Sequence, residues 1–193
     1  MAGIELRSPS FGDHQPIPTR HAKDHDNLSP ALEWSGVPEE AVELAVLCED
    51  PDAPRGTFIH WVLAGLEPTA PGLVEGERPA AAVEGRNDFG EEGYSGPQPP
   101  VGGPPHRYFF RVFAASAPLE LTAGASAEDL RRALEGGELA SGTLVGTYDI
   151  SAKACVGASR TARTGASVVK AVPADRGAGA GPGRARAGPG AAR

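Results

Sequence analysis

The sequence predicts an all-β, antiparallel sandwich over residues 1–150, with a segment lacking a fold of its own over residues 151–193. Three observations predict it. Gly (26) and Pro (19) together make up 45 of 193 residues, about twice the usual share, which argues against a helical bundle. Apolar runs of strand length recur through the first 150 residues, separated by Pro/Gly breakers such as PDAPRG, EPTAPG and SGPQPPVGGPP. The composition then changes sharply near residue 150.

In chain order, Ala31–Trp34 is a short candidate strand. Ala41–Cys48 (AVELAVLC) is apolar nearly throughout, as a strand buried on both faces should be. Phe58–Leu66 (FIHWVLAGL) is a second long run, with Phe58, His60 and Val62 on one face and Ile59, Trp61 and Leu63 on the other by simple alternation. Tyr108–Ala115 and Thr143–Tyr148 follow. One helix is predicted, Ser126–Glu135: Ser126 is its N-cap, Asp129 completes a weak capping box, and Gly136-Gly137 stops it. Strands that do not alternate regularly with helices favour an antiparallel sandwich over a parallel α/β sheet.

Residues 151–193 hold 13 Ala, 8 Gly and eight Lys/Arg against one acid, Asp175, and no Leu, Ile, Phe, Tyr or Trp. Such a segment cannot bury enough apolar area to offset its ordering entropy, so disorder is expected. Its net charge is +7, leaving −14 on residues 1–150 and −7 overall. A basic tail can touch nucleic acid, anionic lipid or the acidic body, but the body itself does not suit nucleic acid. No apolar run is long enough to span a bilayer and no secretory signal opens the chain. Cys48 and Cys155 lie too far apart for a metal or redox motif. A cytoplasmic protein with reduced thiols is expected.

The chemistry sits where polar residues interrupt these strands. Asp50-Pro51-Asp52-Ala53-Pro54 follows the second strand as a proline-stiffened turn; an Asx turn would explain Asp52 alone. His60 lies within an apolar run, where a satisfied core histidine is the bland alternative. His106 and Tyr108 enter the fourth strand on one face, with Arg107 opposite, where an ion pair with Asp50 or Asp88 is expected. Ahead of them runs a stiff Gly/Pro loop, Tyr94 to Gly103, with free N–H groups suited to an anion nest. Together these groups can form a pocket for a phosphate or carboxylate headgroup. Buried imidazoles beside a carboxylate tend to stay charged. His60 and His106 would then be donors, Asp50 the orienting carboxylate, and Tyr108 a wall with a hydroxyl.

The motifs DPDAP, HWV and GYSGPQPP…GPPHRYFFRVFA resemble the phosphatidylethanolamine-binding protein family, which includes the Raf kinase inhibitor proteins. NLSPALEW (27–34), GRNDFG (85–90) and LVGTY (144–148) are similar to its compact bacterial branch. The resemblance covers about residues 4–150. It implies a Greek-key β-sandwich with a few peripheral helices, a small anion pocket, and a homodimer. It implies Asp50, Ala53, Pro54, His60, Gly96, Pro99, Pro100, His106 and Tyr108 as ligand-binding residues, with no cofactor and no metal. It also implies a cis peptide before a motif proline, for which Ala53-Pro54 is the candidate. Residues 151–193 lie outside it, and Gln98 stands where many bacterial relatives have Cys.

Four alternatives stay beside this reading. His60, His106 and Asp50 would make a two-His, one-carboxylate metal set. His21, Asp24, His25 and Asp26 form a second ligand-like cluster, better read as a solvated loop because nothing apolar frames it. Gly93-Tyr94-Ser95-Gly96-Pro97 imitates a nucleophile elbow, but no strand leads into it, no helix follows, and Pro97 replaces the last glycine. Regulation of a protein partner is the fourth. Cys48, Trp34 and Trp61 read as core residues.

Overall fold

The computed structural model describes residues 3–151. The segment expected to be disordered, with Cys155, lies outside them. The described chain is mostly β-sheet with one α-helix and one turn of 3-10 helix.

Two sheets carry the fold. The small sheet has the order β1 (Glu5–Arg7), β3 (Leu32–Ser35), β6 (Gly72–Leu73). The large sheet has the order β2 (Gln15–Pro16), β9 (Glu138–Tyr148), β8 (His106–Ala115), β4 (Glu43–Asp50), β5 (Phe58–Leu66), β7 (Val83–Glu84). All pairings between these strands are antiparallel except β2 with β9, which is parallel. That pair departs from the purely antiparallel expectation.

Alternation along β4 shows how the layers assemble. Leu44, Val46 and Cys48 point into a core shared with Leu6, Leu32, Trp34 and Leu73 of the small sheet. Ala45 and Leu47 point the other way, into a second cluster with Leu130 and Leu134 of α1 (Ala127–Leu134). The large sheet is therefore covered on both faces, which explains why β4 and β5 read as unbroken apolar runs.

The sequence boundaries shift for identifiable reasons. β4 extends to Asp50 rather than stopping at Cys48, because Glu49 is neutralised by Arg111 and Arg131 on the helix side. β8 starts at His106 because Asp50 and Asp52 hold His106 and Arg107. β9 begins at Glu138, running the full length of β8. α1 is capped by Ser126, whose hydroxyl accepts from Asp129 N–H while the Asp129 carboxylate accepts from Ser126 N–H. Both halves of the capping box are thus present.

Two expectations are corrected. The alternation assigned to β5 fails at one point: β4–β5 pairing passes from Cys48↔Trp61 to Glu49↔Ile59, leaving His60 as an extra residue. This bulge flips the downstream strand. Trp61 and Leu63 therefore enter the intersheet core, while Val62 faces the helix. The Ala53–Pro54 peptide is trans; no peptide bond among the described residues is cis. The reversal is closed instead by Asp50 Oδ1, which accepts from Asp52 N–H at 2.8 Å, and by Gly56 N–H donating to Ala53 O at 3.1 Å. Trans is the default X-Pro state when the turn needs nothing else.

Candidate functional site

The antiparallel register brings three strand ends together. The last residues of β4 lie beside the first of β5 (Asp50↔Phe58) and the first of β8 (Glu49↔Phe109). Asp50, Phe58, His60, His106 and Tyr108 therefore meet at one end of the large sheet, and the turn after β4 and the Gly/Pro loop before β8 wall the space they leave. The result is a cavity of about 370 Å³. Eight of the nine predicted residues line it: Asp50, Ala53, Pro54, His60, Pro99, Pro100, His106 and Tyr108.

Gly96 does not line the cavity. Its N–H donates to Asn27 Oδ1 at 2.8 Å, and a Cβ there would sit 1.8 Å from His21 O. Its role in this loop is close backbone approach. Three N–H groups of the predicted anion nest are likewise spent on the protein: Ser95 N–H donates to His60 O, Gly102 N–H to Ile150 O and Gly103 N–H to Pro100 O.

Both imidazoles are held by Nδ1. His106 Nδ1 lies 2.7 Å from Asp50 Oδ2, a pair buried on both sides. His60 Nδ1 donates to Ser95 O at 2.6 Å. Neither Nε2 has a hydrogen-bond partner among the described residues, and neither is sealed from solvent, so both open on the cavity. The Tyr108 hydroxyl is buried without a partner. Burial, then the Asp50 charge, push its pKa far above the ordinary phenol value. Three rings surround His60: Phe58 and Tyr108 with centroids at 5.1 Å, and Phe89 at 5.7 Å. Burial lowers the His60 pKa, opposed by the Ser95 carbonyl and the Asp50 charge. That is opposite to the charged imidazole expected from the sequence. Asp50 gives its carboxylate to the other histidine, so desolvation wins at His60.

Arg107 pairs with Asp52, not with Asp50 or Asp88. Its Nε and Nη2 reach Asp52 Oδ2 and Oδ1 at 2.9 and 2.7 Å, a bidentate fork. This holds the Asp52 carboxyl at about 2. Asp50 is committed to His106, and Asp88 Oδ2 accepts from Ile59 N–H.

The cavity also includes groups the sequence reading passed over: Arg55, Gly56, Phe58, Phe89 and Gln98. Arg55 is exposed at the lip and makes no ion pair among the described residues. Its signal lay in its position, one residue past DPDAP, where a cation beside a candidate anion site counts.

The alternatives acquire physical content. Ser95 is fully buried, and its hydroxyl donates to Glu91 Oε2 while accepting from Asn87 and Lys23. It is a structural node, not an exposed nucleophile. His21 is buried rather than solvated: its Nδ1 pairs with Leu28 O at 2.8 Å, and its carbonyl accepts from Tyr94 OH. No cluster of three metal-ligating side chains forms among the described residues. Cys48 is buried and unpaired, and burial raises its thiol pKa. Trp34 and Trp61 lie in the intersheet core.

Fold and cavity together define a β-rich protein with a mixed aromatic and titratable pocket at one end of its larger sheet. The model of the phosphatidylethanolamine-binding protein family matches residues 7–149, and the chain belongs to that family. A UPF0098 protein of Methanothermobacter thermautotrophicus is 45% identical over 150 residues, covering 75% of this chain and 98% of its own. Escherichia coli YbcL, described as a member of the mammalian PEBP family, superposes with a TM-score of 0.73 at 31% identity, covering 77% of this chain and 99% of its own. The homologue CT736 from Chlamydia trachomatis gives 0.72 at 36% identity, with the same coverage. A Mycobacterium tuberculosis relative, 34% identical over 146 residues covering 76% of this chain and 72% of its own, carries the lipoprotein name LppC. Among the described residues no helix is long and apolar enough to cross a membrane.

Proposed function

We propose that this protein binds a small phosphorylated or otherwise anionic headgroup, of the phosphoethanolamine type, in the cavity at the end of the large sheet. One observation carries the reading: two buried imidazoles are each held by Nδ1 on a protein acceptor, leaving both Nε2 atoms open to one small cavity. Arg55 at the lip supplies positive charge, and the Tyr108 hydroxyl is an unspent donor in the wall. Asp50 orients His106. Phe58, Phe89 and the two prolines give the ligand's carbon part an apolar surface. The ligand-binding residues proposed are Asp50, Ala53, Pro54, His60, Pro99, Pro100, His106 and Tyr108, joined by Arg55; Gly96 supports them from behind. A Ser95 nucleophile has no support, since its hydroxyl is locked in a buried network.

The test is a titration of the purified protein with phosphoethanolamine, followed by histidine side-chain NMR, beside His106→Ala. Saturable shifts in the wild type, lost in the variant, are the expected result. A wild type with no shifts sinks the proposal. The proposed setting is the cytoplasm, supported by the unpaired Cys48 thiol, and the proposed assembly is a homodimer. Because one relative bears a lipoprotein name, cell fractionation is the test of location, and light scattering reads the assembly.

A further inference from the structure

We infer that His60 is the proton acceptor of the pocket, so that the site selects a phosphomonoester, which brings a proton, over a phosphodiester, a sulfate ester or a carboxylate. The inference rests on the anion-pocket reading above and narrows it.

The Ser95 carbonyl can only accept, so His60 Nδ1 carries hydrogen in either protonation state, at 2.6 Å. In the neutral ring the remaining nitrogen, Nε2, is a lone pair opening on the cavity. A second proton there finds no side-chain acceptor among the described residues; the Gly96 carbonyl also lies near the ring and favours the charged form. From β4 the facing group is Asp50, but its Oδ1 accepts from Asp52 N–H and its Oδ2 from His106. From β8 come the edge-on ring of Tyr108 and the His106 imidazole. From the segment after β7 come Phe89, and Asp88 with its Oδ2 on Ile59 N–H. From the strand itself comes Phe58, and from the turn after β4 comes Arg55. Burial opposes the imidazolium most strongly, and the Ser95 carbonyl, the Asp50 charge, the Gly96 carbonyl and the Asp88 charge favour it more weakly.

An anionic oxygen set against a lone pair is repelled, whereas a P–O–H group donates to it. A phosphomonoester has its second ionisation near pH 6, close to that of a histidine. Its dianion and the neutral ring can therefore take up one proton together and share it between phosphoryl oxygen and Nε2, with no covalent bond made or broken. His106 Nε2 and Arg55 remain to hold the other oxygens. A diester, a sulfate ester or a carboxylate carries no such proton near neutral pH, and binds only by charging His60 in its desolvated place.

Three probes that share the ethanolamine group isolate the effect: phosphoethanolamine, glycerophosphoethanolamine and O-sulfoethanolamine. Calorimetry near neutral pH, in buffers of different ionisation heat, reads affinity and proton uptake. The expected result is that phosphoethanolamine binds about tenfold tighter than the other two, the weight of one hydrogen bond to a charged group, with uptake approaching one proton. His60→Asn keeps an N–H donor for Ser95 O and removes Nε2; it should abolish both the preference and the proton uptake. In the free wild type, ring nitrogen NMR should find hydrogen on Nδ1 of His60 and a bare Nε2, a readout independent of whether the variant folds. Equal affinity for the sulfate and phosphate esters, binding without proton uptake, or hydrogen on Nε2 in the free protein overturns the inference and leaves an anion pocket standing. Failure of all three probes to bind overturns the pocket reading itself.

Discussion

Asp50 illustrates what a single residue does in this molecule. It closes the turn after β4 through Oδ1 and holds His106 through Oδ2, with its side chain 4% exposed. Replacing it with Asn keeps the volume but removes the charge facing His106. Asn has one acceptor oxygen where Asp50 uses two, so one buried donor loses its partner at a cost of about 1–3 kcal/mol, and Asp50→Asn should unfold at correspondingly lower urea and bind phosphoethanolamine more weakly. Unchanged urea and binding curves would remove Asp50 from the site. Asp52 makes a different prediction, through pH. Its folded-state carboxyl is held at about 2 against an ordinary 3.8, chiefly by hydrogen bonds from the Arg107 side chain. Because that value is depressed, the stabilisation is fully present above about pH 4 and is lost as pH falls toward 2. Arg107→Gln should return the Asp52 carboxyl toward its ordinary value in a carbon-detected NMR titration, and flatten the acid limb of stability in that window. At this scale the sequence was legible where a residue's partner came from the same motif or a facing strand end, as for Asp50 with His106. It misled where several carboxylates competed for one cation: only the bidentate geometry shows that Arg107 takes Asp52. It misled again at His60, because no periodic pattern announces a one-residue bulge.

At the scale of elements, the long strands and the helix were legible because their signals are local. β5 has the bounds read from its apolar run, and α1 starts where its capping box says it should. The short strands β1, β2, β6 and β7 were not read, since two or three residues carry no periodicity and their pairing depends on distant partners. The stretch from Tyr94 to Gly96 shows how one element positions the site from behind its lining. Lys23 and Glu91 pair beside the Ser95 hydroxyl, Asn87 donates to that hydroxyl at 3.1 Å, and the Ser95 carbonyl then fixes His60. Gly96 seats this wall against His21. In Gly96→Ala the new methyl would meet a backbone oxygen 1.8 Å away, so the wall must move. The expected outcome is perturbed His60 ring shifts and weakened phosphoethanolamine binding, even though Gly96 does not face the cavity; wild-type affinity in that variant would show the wall to be more plastic than its packing implies. Leu130 makes the equivalent case for the helix. It is fully buried against the face of the large sheet remote from the cavity. Leu130→Ala should cost about 3 kcal/mol in stability and leave phosphoethanolamine affinity unchanged, which equilibrium unfolding and calorimetry on one sample can separate.

For the whole molecule, the distribution of charge bears on how an anion reaches the pocket. Residues 1–150 carry a net −14, and the chain beyond Ser151 carries +7 in 42 residues. The point where that basic stretch begins is fixed by the fold. Ile150 bridges to Val101 and accepts from Gly102 N–H at 2.8 Å, next to the Pro99-Pro100 wall of the cavity. Ile150 thus lies at the rim of a cavity set in an acidic body that repels the proposed ligand. The family model ends at residue 149, before that basic stretch begins. A chain shortened after Ser151 should therefore keep its unfolding midpoint. At low ionic strength it should capture phosphoethanolamine more slowly and more weakly than the full chain, because a negative field then acts on the ligand without its local offset. Salt shortens that field to about 8 Å at physiological ionic strength and less above it, so the two affinities should converge as salt is added. Stopped-flow association rates across a salt series decide the matter. Parallel salt curves for the two chains would mean that the basic residues beyond Ser151 do not shape the field at the pocket mouth.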